Sequence, residues 1–465
     1  MKKTFLLSCL MLAAMPVMAA YTGHVYVDKN KNGVFDQSEK PLAGIKVSDG
    51  LNVVETAADG SFTLPGHERE RFIFITTPSG YKTFNRHYHK IEKKQSGYDF
   101  GLIPYSGRIR KNGSHRYIHI ADTEMFNTEN HADWVNNVRD YARNEQAAFI
   151  IHTGDICYEK GLKAHIKLMN TENMDCPVFY CIGNHDLVKG KYGEELFESI
   201  YGPVYYSFDA GNVHYVVTPM PGGDHAPGYT SDDVCRWLKN DLAHIRPGTP
   251  VVVFNHDLLT YEDTFIFKSK NAGSINLNEY NLKAWVYGHW HINYMKKQGD
   301  VYSVCTSSLD KGGIDHSTTA FRVMHVDSKG DFTSELRYTY LDKNICIASP
   351  AGVMASGVLP VAVNVYSSVS PVREVLYTCL ADGKPVLKNK RLLQSTDWSW
   401  NGELPLSHKY VGKELTLRVT ARFNNGEIAE AESNFICRTE KAVPLFSADW
   451  DNLSGNAKHS APVSA

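Results

Sequence analysis

Five groups of residues in this chain combine types that do chemistry, and each stands at the end of an apolar, strand-like run. Asp122 and Glu124 lie in "HIADTEMF" (119–126), Asp155 follows "IIHTG", and Asn184, His185 and Asp186 follow "YCIG". His256 and Asp257 follow "VVFN", and His289 and His291 sit in "YGHWH". Any one of them is a weak signal. Two acids at 122 and 124 could be a solvated turn, and a lone His is more often a hydrogen-bonded core residue than a ligand. All five in order after successive strands point to one site, because in open α/β sheets sites form beyond the carboxyl ends of the strands. Alternation along an extended strand would put His289 and His291 on the same side. Carboxylates, imidazoles and one amide oxygen, without thiolate, suit Mn, Fe or Zn. Asp122, Glu124, Asp155, Asn184, His256, His289 and His291 offer more ligands than one tetrahedral ion takes. They suffice for two divalent ions about 3.5–4 Å apart sharing a bridge.

The motif set resembles the calcineurin-like metallophosphoesterase superfamily, whose ordered motifs are Asp-x-His, Gly-Asp, Gly-Asn-His-Asp/Glu, a lone His and Gly-His-x-His. The chain carries "DTE", "GD" at 154–155, "GNHD" at 183–186, His256 and "GHWH" at 288–291. The match spans residues 115–310, and the strand-rich flanks resemble the accessory domains of a bacterial, exported branch. The resemblance implies that Asp122 and His291 hold a first ion with the residue at 124. Asp155 would bridge both ions, and Asn184, His256 and His289 would hold the second. His185 would stand beside the scissile ester as transition-state stabiliser or proton donor, with Asp186 orienting it. Two such ions would acidify a shared water and clamp the phosphoryl oxygens for in-line attack on a phosphate mono- or diester.

Glu124 departs from the family pattern, which carries His there. A carboxylate can ligate such an ion at about 2.0–2.2 Å. It leaves the two-ion centre one positive charge poorer, which should favour Mn or Fe over Zn and diesters over phosphate dianions. Alternatively, Glu124 turns to solvent and the first ion binds weakly.

A second candidate is "DKNKNGVFDQSE" (28–39). Asp28, Asn30, Asn32, Val34, Asp36 and Glu39 occupy calcium-loop positions one, three, five, seven, nine and twelve, with Gly33 at six. The strand-like "GHVYV" before it argues for a structural calcium on a β-sandwich rather than a helix–loop–helix hand. The bland alternative is an Asn/Asp turn held by its own side chains. Glu159, His225, Asp257 and Tyr261 are candidates for the substrate pocket, while His119 and His152 suit supporting roles inside the strands.

These residues need elements to position them. At 465 residues the chain calls for two to four domains. Residues 20–107 read as short strands between Gly-, Asn- and Asp-rich turns, a small β-sandwich. Residues 108–342 read as a mixed α/β domain with two sheets, including helices over 131–146 and from Ser231 onward. Residues 343–440 return to strands as a second β-sandwich, and 441–465 form a loose tail. The fold class is thus a two-sheet α/β core flanked by two all-β sandwiches. Buried free thiols are expected for most cysteines, with a bridge possible among Cys346, Cys379 and Cys437.

The first 19 residues read as a signal peptide: Lys2 and Lys3, a short apolar stretch, then Val17-Met18-Ala19. The short apolar run before Cys9 argues against a lipoprotein anchor. No later segment reaches the roughly 20 apolar residues of a membrane span. The address is therefore exported, periplasmic or cell-envelope. A formal net charge of −2 without like-charge blocks gives no support to nucleic-acid binding. A phosphorylated small molecule, a lipid head group or a glycan is the expected substrate. The rival reading is a surface binding protein whose sandwiches recognise glycan or protein, with a phosphoesterase core impaired at Glu124.

Overall fold

The computed structural model describes residues 20–439 except 96 and 342. The signal peptide, Cys9 and the 441–465 tail lie outside the described residues. Two compact units emerge. One runs to Val135 and resumes from Gln146 to Arg337; the other takes Asn136–Glu145 and the chain from Tyr338.

The first unit opens with a β-sandwich. One sheet is built on Tyr21–Val27, paired with Lys40–Pro41, Ser61–Leu64 and Phe100–Pro104, and Tyr81–Thr83 extends it. The facing sheet runs Val53–Glu55, Lys46–Ser48, Phe72–Ile75, Tyr88–Lys90. Val25, Val47, Phe62, Ile73, Phe100 and Leu102 fill the space between them. The outer face of the second sheet is not left to water. Phe72, Phe74 and Tyr88 join the core of the neighbouring α/β layer, and Phe74 packs 6.3 Å from Trp237.

The α/β layer has two sheets. The first runs Val178–Tyr180, Phe149–His152, His115–Ile120, Ala320–Val326, Phe332–Tyr338; its first three strands are parallel. The second runs Tyr206–Ala210, Val213–Val217, Val251–Phe254, Leu282–Tyr287, Val301–Cys305, Tyr294–Gln298, with the four inner strands parallel. Both read as near-continuous apolar runs because both faces are covered. Tyr117 and Phe149 of one sheet meet Tyr215 of the other at 5.7 and 5.0 Å between ring centres, closing the sandwich. Aromatic pairs of this kind contribute roughly 0.5–1.5 kcal/mol each beyond their buried area. Helix Ser231–Ala243 starts at a capping box, in which Thr230 and Asp233 satisfy each other's backbone N–H groups. It buries Val234, Trp237, Leu238 and Leu242, the face its spacing predicts. Helix Ala132–Asn144 likewise buries Trp134, Val138, Tyr141 and Ala142.

The second unit is a strand sandwich of four and five strands. Glu414–Phe423 alternates strictly, with Leu415, Leu417, Val419 and Ala421 buried. Cys346, Cys379 and Cys437 carry no disulfide, nor does any other described cysteine. Among the described residues no helix is long and apolar enough to cross a membrane.

Candidate metal centre

The loops that follow five parallel strands converge. Asp122 follows His115–Ile120, Asp155 follows Phe149–His152, and Asn184 follows Val178–Tyr180. His256 follows Val251–Phe254, and His289 follows Leu282–Tyr287. Ligand atoms of Asp155, His256 and His289 all lie within 4.8 Å of one another. Asp122 Oδ1 is 3.4 Å from His291 Nε2 and 3.9 Å from His256 Nε2, which joins the two halves of the cluster. Glu124 Oε1 is 3.6 Å from His291 Nε2, so Glu124 faces the cluster rather than solvent alone.

The backbone there is unusual. Asp122, Glu124, Asp155, His289 and His291 all take positive φ, between 43° and 64°. Such conformations cost on the order of 1–3 kcal/mol each in a non-glycine residue and persist where the surroundings over-determine them. This corrects the strand reading of "GHWH". The strand ends at Tyr287, and two left-handed residues, not pleat alternation, bring His289 and His291 to the cluster. Two glycines permit the close approach. A Cβ on Gly183 would stand 2.2 Å from Asp155 N, and one on Gly288 would stand 2.8 Å from Asp122 Oδ2.

The donor set fits divalent cations by its hydrogen bonding. His256 is fully buried, and its Nδ1–H donates to the Thr153 carbonyl at 2.6 Å. In the neutral ring that bond leaves Nε2 as the lone-pair nitrogen, the arrangement metal-ligating imidazoles adopt. Nε2 lies 3.1 Å from Asp155 Oδ2, and Asn184 Oδ1 is buried without a partner. Burial opposes charge on the His256 ring, but Asp155 and Asp122 override it and push its pKa up to about 9. The pocket demands positive charge. Burial in turn raises the Asp122 carboxyl.

His119 and His152 brace the loops. His119 Nε2 meets Thr153 Oγ1 at 2.8 Å, and His152 accepts from Gly154 N–H while meeting Thr123 Oγ1 at 3.0 Å. The chain segments around Asp122 and Asp155 are thereby tied to each other.

One assigned role moves to another residue. Asp186 does not orient His185: its carboxylate is buried and accepts the backbone N–H groups of Cys157 at 2.8 Å and Gly183 at 2.9 Å. Burial and the neighbouring Asp155 push it up to about 6. His185 Nδ1 instead meets Asp224 Oδ2 at 2.8 Å, and its ring packs 5.4 Å from Tyr158. The only trace of Asp224 in the sequence is its place beside His225 in "GGDHAPG". Lys311, whose ammonium binds Glu124 Oε2, has no trace at all.

The pocket candidates separate. Asp257 accepts from Trp290 Nε1–H at 3.1 Å and so fixes the ring between the two histidines of "GHWH". Tyr261 stacks on Trp290 at 5.9 Å. Glu159 is exposed and paired with Lys163, and His225 is exposed; neither joins the cluster. Of the six exposed aromatic side chains among the described residues, Phe126 stacks on Tyr158, which packs against His185, and Tyr261 and Tyr294 both pack against Trp290.

In the 28–39 loop, buried Asp28 accepts the N–H groups of Asn32 at 3.2 Å and Gly33 at 2.9 Å, and Asn32 Oδ1 accepts from Val34 at 2.8 Å. Asn30 Nδ2 donates to Asp36 at 2.7 Å, and Glu39 accepts from Lys29 at 2.8 Å and Asp36 at 3.2 Å. Strands, not helices, flank it. A further grouping, Asp49 with His67 and Glu70, is already bonded internally: Asp49 accepts from Asn52, Glu70 from Tyr21, and His67 Nε2 meets the Asp49 carbonyl.

A two-sheet α/β sandwich with carboxylates, imidazoles and an amide gathered at its strand ends defines the class of divalent-metal phosphoesterases. The family model for calcineurin-like phosphoesterase matches residues 115–293, and that for the N-terminal domain of calcineurin-like phosphoesterase matches 29–104. Together they cover more than half of the chain, and the chain belongs to the calcineurin-like phosphoesterase family. It is 26% identical over 215 residues to purple acid phosphatase 13 of Arabidopsis thaliana, covering 43% of this chain and 36% of that protein. The chain thus spans about a third of the length of that curated relative. Similar solved structures include a novel archaeal phosphodiesterase (13% identity, 48% of this chain, 99% of that one, TM-score 0.25). Another is a conserved uncharacterized protein, a predicted phosphoesterase, from Streptococcus pneumoniae TIGR4 (10% identity, 49% and 98%, TM-score 0.23).

Proposed function

We propose that the protein hydrolyses phosphate esters at a centre of two divalent ions, Mn, Fe or Zn. The carrying observation is the convergence of Asp155, His256 and His289, with His256 Nε2 in that group and, like Asn184 Oδ1, buried without a hydrogen bond. In this reading Asp122, His291 and Glu124 hold one ion, Asn184, His256 and His289 the other, and Asp155 both. Bound there, the ions supply an acidified water and neutralise charge on the phosphoryl oxygens. The chain's own residues do the rest. Thr153 fixes the His256 tautomer, and Asp224 holds His185 with its Nδ1 engaged and its Nε2 free for the ester. His185 then donates a proton to the leaving oxygen, worth roughly a hundred- to ten-thousand-fold in rate for a poor leaving group.

The exposed aromatic side chains offer a stacking surface to the alcohol portion of the ester. The stacked Phe126–Tyr158 and Tyr261–Trp290 pairs lie near parallel, at 23° and 21°. They favour a ring-bearing ester over glycerol phosphate or inorganic anions. The first 19 residues support export to a periplasm or cell envelope, where phosphorylated small molecules, lipid head groups and glycans are available. The 28–39 loop is read as a structural calcium site, supported by the spacing of Asp28, Asn30, Asn32, Asp36 and Glu39.

The test is metal analysis of the purified protein, then turnover of p-nitrophenyl phosphate and bis-p-nitrophenyl phosphate with added Mn, Fe or Zn. Close to two ions per chain and turnover abolished by Asp155→Asn support the reading. No transition metal and no turnover would leave the binding-protein alternative.

A further inference from the structure

Glu124 and Lys311 are separated by 187 residues, yet the Lys311 ammonium donates to Glu124 Oε2. The other oxygen of Glu124 faces His291 Nε2 at 3.6 Å, so the ion pair is part of the cluster. Lys311 is also held in place on its own side. It lies in the turn after strand Val301–Cys305, where its N–H donates to Ser308 Oγ at 3.2 Å. The same turn is tied to the "GHWH" loop, since Ile314 N–H donates to the His291 carbonyl at 2.9 Å. A surface lysine paired with a carboxylate contributes little to stability. Beside Asp122 and Asp155, its effect falls on the charge of the centre.

Relatives with His at this position place a neutral ligand there. Glu124 adds a negative charge, and Lys311 cancels it. The pair therefore presents the net charge of a histidine, so the centre is not one positive charge poorer, as Glu124 alone would make it. We propose that Glu124 and Lys311 form one coupled unit in the place of the family's histidine. Glu124 supplies an oxygen toward the first ion, and Lys311 positions it and balances its charge. Lys311 thereby sets how tightly that ion is held. The inference rests on the metal-centre reading above.

The experiment is a double-mutant cycle read by metal affinity rather than by turnover. Wild type, Glu124→His, Lys311→Met and the double variant are titrated with Mn2+ and Zn2+ by calorimetry, with bound metal counted by mass spectrometry. Lys311→Met should tighten Mn2+ binding about tenfold, because a competing cation is removed. Glu124→His should weaken it by a similar factor, because the ammonium is left unpaired beside the ions. The double variant carries the same net charge as wild type and should return to within about threefold of wild-type affinity. Lys311→Arg should retain wild-type affinity. If Lys311→Met leaves affinity unchanged, or if the double variant stays as weak as Glu124→His alone, the charge-balanced unit is refuted. Should the histidine variant not fold, Glu124→Gln closes the same cycle. Wild type that binds no Mn2+ or Zn2+ would instead refute the metal centre itself, a different outcome from a double variant that fails to recover.

Discussion

Asp224 Oδ2 lies 2.8 Å from His185 Nδ1, and Asp224 N–H donates to the Asn184 carbonyl at 3.0 Å. One residue therefore orients the candidate proton donor and anchors the backbone of the candidate ligand next to it. Asp224→Asn is expected to slow esters with poor leaving groups by roughly ten- to a hundred-fold, part of what a general acid contributes. Nitrophenyl esters, whose leaving oxygen needs little help, should lose much less. Rates across a series of leaving groups check this; an equal loss on all esters would rule out the positioning role.

Asp186 serves the loops rather than the ester. Its carboxylate satisfies two buried N–H groups, of Cys157 and Gly183. Asp186→Ala should cost about 1–3 kcal/mol for each donor left unsatisfied and lower the denaturation midpoint. Asp186→Asn keeps one acceptor oxygen and should recover part of that loss. Urea unfolding of both variants measures it.

Gly183 touches the Asp155 backbone so closely that any side chain must push the two loops apart. Gly183→Ala should separate Asp155 from His256 and His289 and reduce bound metal well below wild type. The general cost of such overpacking is about 1–3 kcal/mol, so the fold should survive. Metal stoichiometry alongside a circular dichroism melt distinguishes loss of the site from loss of the fold.

His214 is buried with Nδ1 2.7 Å from Asp209 Oδ1 and Nε2 2.8 Å from Asp241 Oδ2. Burial lowers its pKa, but Asp241 and Asp209 outweigh burial and raise it above 6.5. A folded-state value above the unfolded one gives stability that is complete below about 6.5 and lost as pH rises through the folded value. Asp241 is shifted the other way. Burial would raise it, but His214 lowers it below 3.8, so its contribution is lost only as pH falls through that lowered value. Stability should therefore decline above neutrality. His214→Gln should flatten the decline and cost about 3–5 kcal/mol, the usual penalty for breaking a buried pair. Urea midpoints from about pH 5.5 to 9 test both statements.

Calcium at about a hundred times its dissociation constant should stabilise the full chain by roughly 2.7 kcal/mol if the 28–39 loop binds it. The shift should vanish in Glu39→Gln. Thermal melts with calcium and with chelator decide the matter, and identical melts would leave a turn held by its own hydrogen bonds.

What the sequence determined by itself is local. An apolar run that ends in Asp, Asn or His announces a strand and a polar loop at its carboxyl end, and that order of residues was legible as a candidate metal centre. Alternation in 414–423 and the 231–243 helical face were legible for the same reason: burial repeats with the period of the element. The partners were not legible. His185 is oriented by Asp224 rather than adjacent Asp186, because Asp186 is turned inward to two orphan N–H groups. Glu124 is balanced by Lys311, 187 residues away, because loops at the strand ends of the two sheets converge. Even "GHWH" depended on tertiary context, since positive φ at His289 and His291 survives only where neighbours hold the loop. Residue types and strand periodicity are properties of short segments, whereas which charge faces which is decided by where the chain returns.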